Sequence, residues 1–314
     1  MERAGEGQAA RLARRLSGWL LDLVVLLIGT VTLLFFLLRL TGDPAVVLAG
    51  PDASPEQLAA LKASLGLDQP LPLQYLAYLA QLLRLDFGAS LADGTPALAK
   101  VLAALPSTML LAASAMALTL AVAIPTGLWL GASRGRAGSA VRGLIFLLQG
   151  FPGFVTALLL VQLFAIQLVW LPALGASGPA SLVLPMVSVA SFLAPKLIRL
   201  VEANVEAALP SAWVRTARAN GVPEREILWR HVAPNALLGA VALIGAQFAF
   251  LVTGLVIIEA IFAWPGIGLL LVQSTTNLDF PVVQAITFFV VIGVFSVNLL
   301  TGALQRRLDP RLRA

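Results

Sequence analysis

Four stretches of the chain, Val101–Ser133, Gly143–Pro195, Val232–Ile258 and Pro281–Gln305, contain no Asp, Glu, Lys or Arg. A helix crossing the hydrocarbon core of a bilayer needs about 20 apolar residues. The longest run therefore holds two spans and the others one each. The apolar stretch before Arg39 adds one more, and Val183–Leu200, which starts inside the longest run, tolerates Lys196 and Arg199 near its end. Only 12% of the 314 residues are charged and 59% are hydrophobic, against about a quarter charged in a soluble chain. The mean hydropathy is +0.91. Apolar surface on this scale faces lipid. The fold class is all-α: a polytopic membrane protein with six transmembrane helices, expected at Trp19–Leu40, Ser107–Leu130, Leu144–Trp170, Val183–Leu200, Leu237–Phe262 and Val282–Leu304.

The net charge of +5 invites a nucleic-acid reading, but the placement of the charges argues against it. Arg3, Arg11, Arg14 and Arg15 precede the first span. Arg134, Arg136 and Arg142 fill one loop, and Lys196, Arg199, Arg215, Arg218, Arg225 and Arg230 flank another. Arg306, Arg307, Arg311 and Arg313 end the chain. The other four basic residues, Arg39, Lys62, Arg84 and Lys100, share one segment with Asp43, Asp52, Glu56, Asp68, Asp86 and Asp93. This asymmetry is the positive-inside bias. It places both termini in the cytoplasm and 41–104 outside, and reads the basic charge as topology.

The N-terminus has the look of a signal peptide, Arg14-Arg15 before an apolar run, but a cleaved apolar region is about 7–15 residues long and this one is long enough to span. It is expected to remain as the first helix, 19–40, after a tail at 1–18. The outer segment 41–104 carries helix punctuation. Ser54-Pro55-Glu56-Gln57 reads as an N-cap, a first-turn proline and a capping-box glutamine, with Leu58, Leu61 and Leu65 on one face and Gly66 at the end. Leu73–Leu85 forms a second amphipathic helix with Leu76, Leu79 and Leu83 on one side. The segment reads as a surface cap on the bundle or as a substrate-binding module; it is too short for a core of its own. The other five spans lie in 105–304, and 305–314 is a second tail. Pro125, Pro152 and Pro185 are candidates for kinks.

The polar stretch 201–235 reads as two short helices joined by an elbow. Ser211–Asn220 is the first, ended by Asn220-Gly221, residue types that accept left-handed geometry. Pro223 opens the second, with Glu224 and Glu226 against its positive end. Ile227, Leu228, His231 and Val232 fall on one stripe, and Pro234 stops the helix. Pattern alone leaves two readings, a docking knob for a cytoplasmic partner or an amphipathic loop on the membrane surface.

The same stretch resembles the EAA loop of ABC importer permeases, E-A-A-x3-G-x9-I-x-L-P. Arg215-Thr216-Ala217, Gly221 and His231-Val232-Ala233-Pro234 occupy its positions, with one Ala, the Gly and the Pro matching. Glu206-Ala207-Ala208 has the letters but not the spacing. "WVRTARANGVPEREILWRHVAPN", 213–235, is closer to the dipeptide/oligopeptide form of the loop. "LRLTGDP" (38–44), "SPEQLAALKASLGL" (54–67), "DQPLPLQY" (68–75), "EAIFAWPGIG" (259–268), "DFPVVQ" (279–284) and "LDPR" (308–311) are similar to that family in the same order. Gly239 and Thr301-Gly302 depart from its usual residues.

The resemblance implies the type I ABC importer permease fold. It also implies a partner set of a second homologous permease, two cytoplasmic ATPase subunits and an extracytoplasmic substrate-binding protein. The coupling residues it implies are Arg215, Thr216, Ala217, Gly221, Pro223, Glu224, Ile227, His231 and Pro234. Short peptides are the implied cargo, with nickel, glutathione, haem or sugars as alternatives in the same class. An ion-coupled secondary transporter is the rival class, and it usually shows more intramembrane charge than this chain.

Apart from Asp22, near the inner end of the first expected span, Glu259 is the one carboxylate inside an expected span, with Trp264-Pro265-Gly266 just beyond. It reads either as part of the translocation path or outer mouth, with Trp264 and Gln247, or as the cap of that turn. No cofactor is expected. Without cysteine there is no thiolate site, and a lone histidine makes no metal centre. No G-x-x-x-x-G-K-[ST] loop occurs, so ATP hydrolysis is assigned to another subunit.

Overall fold

The computed structural model describes residues 2–41, 44–50, 53–64 and 66–308; the side chains of 2–16, 41, 44, 47, 48, 64 and 254 lie outside the description. Arg3, Arg11, Arg14, Arg15, Asp43, Asp52, Leu65, Arg311 and Arg313 therefore fall outside it as side chains. In chain order the helices are α1 (Glu2–Thr41), α2 (Pro44–Ala49), α3 (Pro55–Ser64), α4 (Leu71–Leu82), α5 (Ala97–Ala132), α6 (Arg136–Gln149) and α7 (Gly153–Leu160). There follow α8 (Pro179–Ala208), α9 (Ala212–Ala219), α10 (Glu224–Glu226), α11 (Ala233–Gly254), α12 (Val256–Ile261), α13 (Ile267–Thr276) and α14 (Phe280–Leu308). No strand occurs among the described residues. The fold is the all-α polytopic one that the charge-free runs require.

Five helical stretches are long and apolar enough to cross a membrane: Ser17–Leu40, Ala97–Ala132, Pro179–Ala208, Glu224–Thr253 and Phe280–Leu308. A sixth crossing is formed if Arg136–Gln149 and Gly153–Gln167 count together, bent by 98°. The single span expected at Leu144–Trp170 is thus corrected to a broken one. Pro152, at the break, cannot donate the bond that would carry the helix on. Pro125 and Pro185 stay inside continuous helices. The expected span Leu237–Phe262 is also interrupted, between α11 and α12.

Two compact units emerge from the contacts, one of residues up to 104 with 270–295, the other of 105–269 with 296 onward. In the first, α4 lies against the last turns of α1. The Tyr75 and Thr32 hydroxyls are 2.5 Å apart. Arg39 stacks over the Phe35 ring at 3.4 Å and donates to Gln74 Oε1 at 2.8 Å. Of the apolar side Leu76, Leu79 and Leu83, Leu76 and Leu83 are exposed, and Gln74, Tyr75 and Tyr78 make the contacts to α1. The capping box before α3 is formed: Gln57 N donates to Ser54 Oγ and Ser54 N to Gln57 Oε1. A short turn at Ala89–Pro96 is pinned to the start of α14, since buried Asp279 accepts from Ser90 Oγ at 2.5 Å and from Leu91 N at 3.0 Å.

In the second unit, α5 and α8 approach closely. A Cβ on Gly127 would stand 2.7 Å from Val201 Cβ, and one on Gly131 would stand 2.6 Å from Val205 Cβ. Glycines four apart present one flat helical strip, the way small residues let membrane helices touch backbone to backbone. A buried core of Leu128, Leu130, Leu197, Val201, Val205, Val214, Ile227 and Val232 surrounds that contact. A second core gathers Leu111, Leu184, Leu193, Leu251, Leu255, Phe262 and Trp264.

Candidate functional site

The elbow is built by α9 and α10. Gly221 has φ +75°, the left-handed geometry that glycine accepts without strain. Its N–H donates to Arg218 O at 3.0 Å, and Val222 N–H donates to Ala217 O at 3.1 Å. This pair of bonds is the Schellman closure of a helix, and Ala217 and Val222 pack together on the core. Nothing lies within 4 Å of where a Gly221 Cβ would be, so the constraint there is conformational. Across the turn, Arg218 Nε and Nη2 donate to the two carboxylate oxygens of Glu224 at 2.6 and 3.1 Å. Both side chains are exposed, so this clasp sets geometry more than stability.

Past Glu226 the chain differs from its expected form. Pro234 does not stop the helix. Residues Ile227–Val232 form a π-helical stretch that runs directly into α11. A wider turn with bonds five residues apart relieves the clash that a proline ring brings to an α-helix and lets the carbonyl four residues back pair with the N–H after the proline. The same change of period moves the buried stripe. Ile227 and Val232, five apart, are fully buried, whereas His231 is turned to the exposed side. The stretch 201–235 is also not all loop, because α8 continues to Ala208.

Arg215, Thr216, Pro223 and Glu224 are exposed and Ala217 half-buried. Pro223, Arg225, Glu226, Trp229 and Arg230 line an open groove of about 430 Å³. Trp213 and Trp229, absent from the expected set, are large apolar side chains on this exposed surface. Val214, Ile227 and Val232 anchor it to the core. The result is a polar knob with two exposed indoles, held to the core by those three side chains.

Arg142 of α6 ties the end of α5 to α8. Its Nε donates to Glu202 at 2.5 Å, and its Nη2 to Leu130 O and Ser133 O at 2.7 and 3.1 Å. One guanidinium thus ties the C-terminal carbonyls of α5 to α8, using the fork geometry that suits arginine.

Glu259 and Trp264 meet in a second cluster. Glu259 is fully buried. Its Oε1 accepts from Thr108 Oγ1 at 2.7 Å, and its Oε2 accepts from Gly268 N at 2.7 Å and Leu269 N at 3.0 Å. Thr108 Oγ1 in turn accepts from Ile267 N at 2.8 Å. The carboxylate therefore caps the amino end of α13, which exposes unpaired N–H groups and positive potential. A Cβ on Gly266 would collide with this carboxylate. Trp264 Nε1 donates to Ser107 O at 2.9 Å. Gln247, 6% exposed, stands apart, and neither end of its carboxamide has a hydrogen-bond partner among the described residues.

A bundle of apolar helices long enough to cross a membrane makes this a membrane protein. The chain belongs to the family described as the binding-protein-dependent transport system inner membrane component, matched over residues 123–314, with the N-terminal component of the same systems matched over 10–112. It is therefore an ABC importer permease. Similar proteins include the glutathione transport system permease protein GsiC of Salmonella choleraesuis, 33% identical over 294 residues, covering 92% of this chain and 94% of the relative. The GsiC proteins of Pectobacterium atrosepticum and Escherichia coli strain K12 are 34% and 32% identical with the same coverage. Among solved structures, the inward-facing MetNI methionine ABC transporter aligns with TM-score 0.54 at 18% identity, covering 67% of this chain and 96% of that one. This last likeness is one of fold.

Proposed function

We propose that the chain forms one half of the path by which an ATP-driven importer carries short peptides across the inner membrane. The observation that carries this reading is end-to-end similarity to glutathione permeases, over 92% of the chain. Glutathione, a γ-glutamyl tripeptide, is one of the alternatives expected beside short peptides, and its chemical kinship to them is what supports the peptide reading. Separate ATPase subunits dock on the knob around Gly221, a binding protein delivers cargo on the opposite side, and a second permease completes the path. Both termini and the knob face the cytoplasm, and 41–104 faces outward, as the basic-residue asymmetry supports. ATP-driven closure of the ATPases moves the knob, and the packed helices switch which side is open, as a rigid-body transition.

Uptake of labelled glutathione and of labelled dipeptide, each competed by the other and by nickel salts, tests the cargo. The expected result is mutual competition by the peptides and indifference to nickel. Nickel uptake that peptides leave unchanged overturns the peptide reading. Reporters at Ala89 and Ala219 test the orientation, with Ala89 outside and Ala219 inside.

A further inference from the structure

A cavity of about 420 Å³ lies in the first unit, beside the Leu40 end of the first span. Among the described residues its lining holds one charge, Arg39, and no carboxylate. The guanidinium is fixed in place by stacking on Phe35 and by donating to Gln74 Oε1 and Phe35 O. Gln74 is fixed in turn, its Nε2 donating to Leu67 O and Gln69 O. Tyr78 shares the lining, and its hydroxyl is buried without a hydrogen-bond partner among the described residues. Burial, with a smaller push from Tyr75, raises that phenol to about 12, so at neutral pH it keeps its proton and is a donor. A buried donor of this kind is uncommon and calls for an acceptor.

The surroundings indicate where the acceptor comes from. Ser17–Leu40 is 24 residues long, about 36 Å at 1.5 Å per residue, against a hydrocarbon core of about 30 Å. Arg39 therefore sits at headgroup depth. Leu33, Phe36, Leu37 and Leu40 of α1 are exposed, and so are Leu71, Leu73, Leu76 and Leu83 on and just past α4. A helix at the end of a span with its leucines uncovered is placed where acyl chains begin.

We propose that this cavity receives the phosphate headgroup of an anionic phospholipid, held by Arg39 and Tyr78 while the acyl chains lie along the exposed leucines. Guanidinium and phenol are both donors, and a phosphate diester offers only acceptors, so charge and hydrogen-bond polarity match. The site concerns neither cargo nor ATPase docking, and it stands or falls independently of the transport reading.

The test uses the full-length chain with its copurifying subunits, stripped of lipid in a neutral detergent. Thermal midpoints and native mass spectra are recorded with phosphatidylglycerol or with phosphatidylcholine of the same acyl chains. Phosphatidylglycerol should bind saturably and raise the midpoint, and phosphatidylcholine should bind at least tenfold more weakly. Tyr78→Phe should weaken phosphatidylglycerol about tenfold, as loss of a hydrogen bond to a charged acceptor does. In lipid-free detergent the same variant should be as stable as the parent or more so, because it removes an unpaired buried hydroxyl. A hydroxyl with a purely structural role would not reverse sign between the two conditions. Equal binding of the two lipids, or undiminished binding by Tyr78→Phe, overturns the proposal. Displacement by inorganic phosphate or a free dipeptide at millimolar concentration also overturns it, making the cavity a site for soluble anions.

Discussion

Thr108 and Glu259, 151 positions apart in the chain, are joined by a 2.7 Å hydrogen bond that also fixes the amino end of α13. Thr108 Oγ1 donates to the carboxylate and accepts from Ile267 N, while the other carboxylate oxygen takes Gly268 N and Leu269 N. Every buried polar atom in the knot has a partner, which is the condition under which a buried carboxylate is tolerated. The arrangement accounts for the Trp-Pro-Gly-Ile-Gly run after Glu259: Gly266 leaves room for the carboxylate, and a Cβ on Gly268 would stand 2.7 Å from Val256 Cα.

Glu259→Ala should therefore destabilise the assembled protein by several kcal/mol, since each stranded backbone N–H costs about 1–3 kcal/mol. Glu259→Gln keeps an acceptor for the two backbone donors and should cost less. Thermal midpoints in detergent check the order Ala worse than Gln. A loss of transport with an unchanged midpoint in both variants would mean that Glu259 acts in the path and not as a cap.

Gly131→Val should disrupt the α5–α8 contact, because even a Cβ there meets Val205 Cβ at 2.6 Å and Glu202 O at 2.9 Å. The overpacking cost is about 1–3 kcal/mol or more. Combining Gly131→Ala with Val205→Ala should recover part of the loss seen with Gly131→Ala alone, but not all, since the backbone oxygen remains. Folded yield and thermal midpoint measure both.

That the chain crosses the membrane repeatedly was legible, because charges, not apolar residues, are the scarce signal in such a chain. The end of α8 was not. Glu202 and Glu206 look like loop residues until Arg142 is seen beside them, and no local pattern announces a partner 60 positions away. Pro234 misled in a similar way, since a π turn absorbs it and carries His231 off the buried stripe. Thr108 carries no sign of its role, which depends wholly on tertiary contact. Gly127 and Gly131 do carry one, small residues four apart in an apolar run, which a count of charges does not use. The Schellman turn at Gly221 was readable because it rests on local backbone geometry alone.

Gln247 is buried with both carboxamide atoms unpartnered, at a cost of about 1–3 kcal/mol. Gln247→Leu, close in volume, should raise the thermal midpoint. If the amide serves cargo passage, the same variant should lower uptake while the protein becomes more stable. An unchanged midpoint would mean that the amide is paired in the assembled transporter.

The turn at 89–96 should respond to acid. Lys100 Nζ lies 2.8 Å from Asp93, and hydrogen bonds from Lys100 and then Thr95 hold the Asp93 carboxyl well below the usual range. A carboxylate depressed on folding stabilises the fold above its unfolded value of about 4 and loses that contribution as pH falls through the lower folded value. The turn should hold through pH 4 and open only in stronger acid. Lys100→Met should move that opening upward in pH, read by hydrogen exchange at Ser90 and Gly94. Asp93→Asn should abolish this pH dependence.

Gly221 offers the sharpest test of the knob. Its φ of +75° costs a residue with a β-carbon about 1–2 kcal/mol, and a β-branched one more. Since a new side chain would meet nothing within 4 Å, the strain has two outlets: unfolding of the turn, or a reset of the angle between α9 and the helix after it. The buried anchors Val214, Ile227 and Val232 oppose unfolding, so the angle should give way. Gly221→Val should leave membrane abundance near normal, weaken copurification of the ATPase and abolish uptake. Gly221→Asn should retain much of the activity, because asparagine enters the left-handed region at lower cost. Glu224→Lys, which breaks the clasp to Arg218 and opposes the helix dipole by about 0.3–1 kcal/mol, should act in the same direction more weakly. Normal uptake by Gly221→Val at normal abundance would remove the elbow from the coupling path.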